Sequence, residues 1–116
     1  MSKYQPFKEL EQTIARELRL LGFDAKRNWA EQFEEKSGRD ITANKPENAL
    51  YFCIQCKYGL KPNLKEAWIE ANSSKEREEI PLGICRFKED KNTLVVLSWR
   101  DFKKLIEKGG SLKNKQ

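Results

Sequence analysis

The chain of 116 residues contains no histidine. This absence excludes Ser-His-Asp and Cys-His catalysis, histidine metal sites, and nucleases that use a histidine general base. Any catalysis must therefore use carboxylates, lysines, amides and a bound metal ion. Long apolar runs are also missing, because no stretch approaches the length of a membrane span and the N-terminal sequence lacks the apolar core of a signal peptide. We expect a cytoplasmic protein that does not contact membranes.

Cysteine is scarce, and its three copies leave an odd thiol, which argues against a secreted disulfide framework. Cys53 and Cys56 have the C-x-x-C spacing of many metal sites. However, they lie in a strand-like run, in which side chains three residues apart point to opposite faces. We therefore expect buried, reduced cysteines that act as small apolar side chains rather than a zinc site.

The charge balance favours a polyanionic partner, although many proteins with a similar balance bind no nucleic acid. The chain has 23 basic and 18 acidic residues, which gives a net charge of +5. Its length suits one domain with a modest core. We predict a single domain over residues 1–110, followed by a disordered tail over residues 111–116.

Hydrophobic periodicity predicts an α/β fold in which a small mixed central sheet is flanked by helices, in the order α-β-β-β-α-β-β-α. Gly22 is expected to end the first helix, and Gly109-Gly110 the last. We expect Phe102, Leu105 and Ile106 to face inward, and Trp68 and Trp99 to be core residues. The predicted helices are residues 4–21, 64–79 and 99–108, and the predicted strands or extended segments are residues 23–29, 39–42, 50–58, 82–87 and 93–98.

Polar residues interrupt two of these predicted strands. Asp40 ends one short strand, and Gln55 and Lys57 lie in the most apolar strand of the chain. Residues two apart in a strand share a face, so Gln55 and Lys57 point the same way and Cys56 points the other way. If the two strands pair, Asp40 lies beside that polar couple. A carboxylate, an amide oxygen and a lysine are components of a phosphodiester-cleaving site.

The order of these motifs resembles the PD-(D/E)XK nuclease superfamily, and within it the small Holliday junction resolvases of archaea and their phage relatives. Glu11 on the first helix precedes a Gly-Phe pair at residues 22–23, Asp40 follows a Gly-Arg pair, and Gln55-Cys56-Lys57 occupies the acid-x-lysine motif. The resemblance covers nearly the whole chain and implies a restriction-endonuclease-like fold.

The resemblance implies a metal-dependent DNA endonuclease, and most specifically a structure-selective Holliday junction resolvase that acts as a homodimer on branched DNA. The alternatives are another small nuclease of the superfamily, restriction-like or from a phage, and a non-catalytic DNA-binding module on the same fold. Hard oxygen ligands suit Mg²⁺, for which Mn²⁺ is expected to substitute.

By this resemblance Asp40 is the central metal ligand, with Glu11, Gln55 and the backbone carbonyl of Cys56 as further ligands. Lys57 is expected to contact the scissile phosphate and to offset the charge of the transition state. Basic residues flank the proposed site, and each is equally explained as a solvated surface residue. The candidate phosphate contacts are Lys26, Arg27, Arg39, Lys61 and Lys65.

The sequence departs from the family at Gln55, where the family has a glutamate or an aspartate. Gln55 can serve as a neutral ligand, which we favour because it keeps the oxygen at the same reach. Alternatively, Glu66 or Glu70 of the next helix replaces the missing carboxylate. In a third interpretation the site is weakened or inactive.

Overall fold

A mixed sheet lies between helices in the computed structural model, which describes residues 6–28, 39–90 and 92–114, with side chains as far as Gly109. The α/β fold class with a small mixed sheet and flanking helices is thereby confirmed. The helices are α1 (Pro6–Leu20), α2 (Leu64–Ser74) and α3 (Trp99–Asn114), and the strands are β1 (Asp24–Arg27), β2 (Ile41–Lys45), β3 (Leu50–Gly59), β4 (Ile80–Phe87) and β5 (Thr93–Val96).

The strands of the described sheet follow one another in the order β1-β2-β3-β4-β5. Neighbours pair antiparallel except for β3 and β4, which are parallel and joined by α2. At the end of the β2–β3 ladder, Ile41 pairs with Ile54. Asp40 therefore lies just outside β2, at the point where the two strands separate.

The two faces of the sheet are covered by different helices. Helix α1 covers one face, where Leu10 and Ile14 pack with Ile54 and Cys56 of β3. Helix α2 covers the other face, where the Cys53 thiol lies 3.5 Å from the carbonyl oxygen of Ala71. Cys53 and Cys56 thus occupy opposite faces, as predicted. All three cysteines are free, and their predicted burial is confirmed.

Helix α2 lies unusually close to the sheet at Gly83 in β4. A Cβ atom at Gly83 would be only 2.8 Å from the backbone nitrogen of Trp68 and 2.9 Å from the Cβ of Ala67. Small residues on both sides allow this approach, and the helix is thereby held directly over β3 and β4. Consequently, the glutamates of its first two turns lie above Lys57.

The predicted end of α1 is confirmed, since the helix stops at Leu20 and Gly22 adopts φ 96°, a conformation that glycine accepts without strain. The predicted end of α2 is wrong. It ends at Ser74 rather than at residue 79, because Lys75 is extended and the Ser74 carbonyl is bound by Arg39. Residues 29–38, which include the end of the predicted extended segment 23–29, lie outside the described residues.

Three expectations for the C-terminal region are wrong. Helix α3 continues through Gly109-Gly110 to Asn114, since a glycine costs a helix only about 1 kcal/mol and does not by itself end it. Trp99 is 68% exposed rather than part of the core, and Phe102 and Ile106 are exposed as well. Only Leu105 packs against the core as expected. No helix in the described part of the chain is long and apolar enough to cross a membrane.

Candidate active site

Asp40 occupies a bend just before β2, where it forms hydrogen bonds with Cys56 of β3 and with Asn28, the residue after β1. Its carboxylate Oδ2 accepts a hydrogen bond of 2.9 Å from the backbone amide of Cys56 in β3. Its carbonyl oxygen accepts one of 3.0 Å from the backbone amide of Asn28. The side chain of Asp40 therefore binds a β3 amide that lies two positions beyond the last β2–β3 pair, Ile41 with Ile54.

The surroundings of Asp40 raise its pKa from 3.8 to about 6. Burial is the main cause, and the negative charges of Glu11 and Glu70 add to it. The hydrogen bond from Cys56 and the positive charge of Lys57 act in the opposite direction. Charged groups from α1, β3 and α2 thus all act on the Asp40 carboxyl, whose ionised form is held at an energetic cost.

Glu11 approaches this region from α1 and is almost fully buried, with 2% of its surface exposed. Its Oε1 accepts two hydrogen bonds from the Arg27 guanidinium, of 2.8 Å and 3.1 Å. Its Oε2 is buried and has no hydrogen-bond partner among the described residues. One oxygen of Glu11 is therefore fixed by the protein, and the other has an unused capacity to bind a donor or a cation.

Gln55 and Cys56 of β3 provide two further oxygen atoms, a side-chain amide oxygen and a backbone carbonyl oxygen. Gln55 is 7% exposed, and its Oε1 is buried without a partner in the described part of the chain. The Cys56 amide points toward Asp40, and the N–H and C=O of one strand residue point to the same edge, so its carbonyl faces the same gap. The Cys56 thiol lies in the core, where burial raises its pKa.

Lys57 is directed toward α2, where its Nζ lies 3.4 Å from Glu66 Oε1 and 3.3 Å from Glu70 Oε2. Burial alone would lower the pKa of Lys57, but the hydrogen bonds and charges of Glu70 and Glu66 raise it above its ordinary value. Lys57 is therefore firmly cationic. No hydrogen bond among the described residues joins Asp40 to Gln55 or Lys57, and Lys57 acts on Asp40 through its positive charge.

Two of the five basic residues predicted to contact DNA are engaged in buried ion pairs. Arg27 binds Glu11, and Arg39 binds Glu79 through two hydrogen bonds of 2.8 Å and 3.1 Å. These pairs compete with the predicted contacts of both arginines to phosphates, because each guanidinium already compensates a carboxylate with little exposed surface. The three exposed members of the predicted set remain candidates, namely Lys26, Lys61 and Lys65.

No local pattern in the sequence indicated the role of Glu79. It lies in the charged run 75–79, at the end of the helix predicted over residues 64–79. Its partner Arg39 is forty residues away in the chain, and charge patterns at that separation do not distinguish a paired residue from a solvated one. Glu66 and Glu70, by contrast, were considered as substitutes for the missing carboxylate, and both lie beside Lys57.

The oxygen donors near Asp40 fit a small hard cation in their chemistry. The described residues contain no group of three or more His, Cys, Asp or Glu side chains arranged to hold a metal ion. The candidate set differs from such a group, because it combines two carboxylates with an amide oxygen and a backbone carbonyl. Mg²⁺ retains several waters and needs few protein ligands. Glu11 Oε2 is on the α1 face and Gln55 Oε1 on the α2 face of β3, so one ion would satisfy both buried, unpartnered oxygens only at the edge of β3 that Asp40 occupies.

Comparison with known proteins assigns no family to this chain. No protein-family model matches it, and no curated protein is similar enough to count as a relative. The candidate site is therefore defined by the contacts of its own residues.

Proposed function

We propose that this protein is a metal-dependent DNA endonuclease that hydrolyses phosphodiester bonds, with Asp40 at the centre of its site. The main support is the Asp40 carboxyl, which is held beside buried Glu11 with a pKa of about 6. A carboxyl whose pKa is raised by burial and by neighbouring acids is typical of functional sites. A divalent cation would remove the cost of holding these charges together.

Four groups would hold the metal ion: the carboxylates of Asp40 and Glu11, the amide oxygen of Gln55, and the carbonyl of Cys56. When bound, Mg²⁺ would activate water and offset the charge that develops on the phosphate. Asp40 contributes its ionised form, which the Cys56 amide orients. Arg27 fixes the orientation of Glu11 by binding Oε1 and leaving Oε2 unbound.

Lys57 would bind the scissile phosphate. Its ammonium group has three donors, and in the present structure two carboxylates of α2 lie near it. A phosphate would compete with Glu66 and Glu70 for Lys57, and the positive charge would then stabilise the transition state. The exposed residues Lys26, Lys61 and Lys65 would contact neighbouring phosphates and make DNA binding dependent on the salt concentration.

The more specific proposal is a PD-(D/E)XK nuclease that acts as a Holliday junction resolvase. The α/β fold with its mixed sheet is compatible with that superfamily. A homodimer with two-fold symmetry would bring two sites to a branched junction and allow symmetric cutting of two strands. Another small nuclease of the same superfamily, acting on duplex or flap DNA, has equal support from the geometry of the site.

One observation favours a second candidate function, a DNA-binding module without catalysis. Gln55 supplies no charge where the superfamily has an acid, and Lys57 is engaged by Glu66 and Glu70. A module of this kind would retain the exposed lysines and bind DNA without cutting it.

A cleavage assay separates these functions. The purified chain is incubated with a four-way junction, a linear duplex and a flap substrate, in Mg²⁺ or in Mn²⁺. We expect Asp40→Asn and Lys57→Ala each to lower cutting by about 100-fold or more. Asp24→Asn and Lys103→Ala are matched controls at exposed positions of β1 and α3, and they should retain cutting.

The substrate profile then decides between the alternatives. Cutting restricted to the junction supports the resolvase, whereas cutting of the duplex or flap supports a different nuclease of the superfamily. Binding without cutting in either metal, unchanged in Asp40→Asn, would refute the enzyme and support the binding module.

A further inference from the structure

A cleft opens between α2 and α3, on the side of α2 that carries Trp68 and Asn72. Its volume is about 440 Å³, and it is bounded by the last turns of α2, the connector 75–79 and the first turns of α3. Ile80 lines the cleft and pairs with Phe52 of β3. Asp40 binds Cys56, which is four residues farther along the same strand. At about 3.3 Å per residue, these levels of the sheet are about 13 Å apart. We call this second site the α2–α3 cleft.

A buried ion pair fixes the wall of the α2–α3 cleft. Glu79, which lines it, accepts two hydrogen bonds from Arg39 and a third of 2.8 Å from the backbone amide of Glu76. Arg39 also donates to the carbonyl oxygen of Ser74, the last residue of α2, at 2.9 Å. The connector is thereby attached both to the helix and to the strand side of the molecule, so the cleft belongs to the folded framework.

The α2–α3 cleft has an excess of positive charge without compensation. Lys75, Arg77 and Arg100 line it, and none of the three forms an ion pair with another described residue. Glu79 is neutralised by Arg39. Glu78 is the remaining carboxylate of the lining without a cationic partner among the described residues. Three unpaired cations against one unpaired carboxylate favour an anionic ligand.

The first turn of α3 adds to this field, because the N-terminal end of a long helix is positive. Ser98 caps the helix by accepting a hydrogen bond of 3.1 Å from the backbone amide of Asp101. Asp101 itself lies 3.8 Å from Lys104 of the same helix, so its charge is largely compensated. The lining contributed by α3 is therefore positive overall.

The wall of the α2–α3 cleft also includes a buried hydrogen-bond donor without an acceptor among the described residues. Trp68 lines the cleft, and its indole Nε1 is buried with no partner among the described residues. A buried N–H group left unpaired costs about 1–3 kcal/mol, so a ligand oxygen that reached Nε1 through a small shift of the cleft wall would be favoured. The donor is independent of the surface charges, and it points to a ligand that has both negative charge and accepting oxygens.

We propose that the α2–α3 cleft binds a phosphate monoester of mononucleotide size. Phosphate oxygens match the three cations and the indole donor, and the volume of the cleft falls within the range of small-molecule sites. The ligand has two sources with the same chemistry, a free mononucleotide or the 5′-phosphate of a DNA strand. The proposal does not require the nuclease activity proposed above.

The test is an NMR titration of the full chain without divalent metal. Deoxyadenosine monophosphate, inorganic phosphate, and one oligonucleotide with either a 5′-phosphate or a 5′-hydroxyl are added separately. We expect the monophosphate to shift the Nε1–H resonance of Trp68, which is assigned from its loss in Trp68→Phe. Trp68→Phe keeps an aromatic ring and removes the donor, and it should weaken binding by about tenfold.

The double variant Arg77→Gln/Arg100→Gln tests the charges of the cleft and should also weaken binding by at least about tenfold. Arg16→Gln/Lys103→Gln is its matched control, because it removes the same charge from exposed positions of α1 and α3 outside the cleft. Equal weakening in the two double variants would overturn the proposal, since the attraction would then be non-specific. Native amide spectra confirm that each variant is folded.

The remaining outcomes are also decisive. Monophosphate binding that exceeds inorganic phosphate binding supports the proposal, and preference for the 5′-phosphorylated oligonucleotide over its 5′-hydroxyl form identifies a DNA end as the source. A Trp68 resonance that stays unmoved at about 10 mM monophosphate, or equal binding of inorganic phosphate, would overturn it. Asp40→Asn should bind the monophosphate like the parent chain, which separates this site from the proposed nuclease centre.

Discussion

The carboxylate of Asp40 accepts a hydrogen bond of 2.9 Å from the backbone amide of Cys56, sixteen residues later in the chain. The Asp40 side chain thus supplies the hydrogen-bond acceptor for an amide of β3 at a position where β2 has not yet begun. This contact orients the carboxylate at the gap between β2 and β3, but burial and the charges of Glu11 and Glu70 oppose its ionisation. The structure therefore holds an acid whose charge lowers the stability of the fold.

Asp40→Asn should stabilise the protein at neutral and alkaline pH. The pKa of Asp40 is about 6 in the folded state and has an ordinary value of 3.8, so the folded protein binds this proton more tightly than the unfolded chain does. Its contribution is fully present below pH 3.8 and is lost as the pH rises through 6. We expect Asp40→Asn to increase the free energy of unfolding at pH 8 by about 2 kcal/mol, measured by urea titration in EDTA.

The difference between Asp40→Asn and the parent chain should disappear at about pH 3, below both pKa values, where Asp40 is neutral in the folded and the unfolded chain. Asp24→Asn, at an exposed position of β1, is the control and should change stability little at either pH. A variant at Asp40 that is less stable than the parent at pH 8 would show that the protein stabilises this charge, contrary to the expectation.

Local patterns predicted the fold class and several details of the site. The predicted helix α1 and its predicted end at Gly22, which has a φ of 96°, agree with the structure, because both depend on neighbouring residues only. The alternation along β3 assigned Cys53 and Cys56 to opposite faces, since a strand has a period of two. These features are local, and the sequence determines them without knowledge of the tertiary structure.

Long-range ion pairs could not be predicted in this way. Arg27 and Arg39 looked like phosphate contacts, whereas the fold pairs them with Glu11 and Glu79. A charged residue has the same local pattern whether it is solvated or buried against a partner from another element. The predicted helix 99–108 is shorter than α3 for a different reason. Gly109 and Gly110 predict a helix end, but the free-energy cost of a glycine in a helix is too small to impose one.

Arg39→Met should strongly destabilise the fold although it leaves the core unchanged. The side chains of Arg39 and Glu79 are 13% and 9% exposed, so the substitution leaves a buried carboxylate without its cation. Breaking such a pair costs about 3–5 kcal/mol, whereas replacing both partners by apolar side chains is often nearly neutral. We therefore expect Arg39→Met/Glu79→Met to recover more than half of the loss in urea denaturation.

The double variant distinguishes a structural role from a role in DNA binding. If Arg39 acts mainly through Glu79, Arg39→Met/Glu79→Met should bind DNA nearly as well as the parent chain. A double variant that is stable and yet loses DNA binding would instead restore Arg39 as a phosphate contact.

Gly83→Ala tests the close approach of α2 to the sheet. The added methyl group would meet backbone of Trp68 at 2.8 Å, which cannot move aside like a flexible side chain. We expect a loss of about 1–3 kcal/mol in the free energy of unfolding. Gly59→Ala is the matched control in the neighbouring strand, because nothing lies within 4 Å of a Cβ at that position. Equal stability of the two variants would show that α2 shifts without cost.

Gln55→Glu tests whether the missing negative charge limits metal binding. Without metal, a third carboxylate close to Asp40 and Glu11 should destabilise the fold by about 1–3 kcal/mol, because Gln55 is buried. With Mg²⁺ or Mn²⁺ that loss should be recovered, at a half-maximal metal concentration about tenfold lower than the parent chain requires. Chemical denaturation at a series of metal concentrations measures both effects.

Glu70→Gln decides between the two interpretations of the site. If Gln55 is the ligand, Glu70→Gln should change the half-maximal metal concentration for stabilisation by less than about threefold. It removes only one partner of Lys57. Glu66→Gln is the matched control, because Glu66 also lies beside Lys57 but is more exposed than Glu70. Stabilisation by metal that survives in Gln55→Ala and disappears in Glu70→Gln would instead assign the ligand to α2. A metal effect retained in Asp40→Asn would refute both interpretations, because each requires the Asp40 carboxylate at the centre.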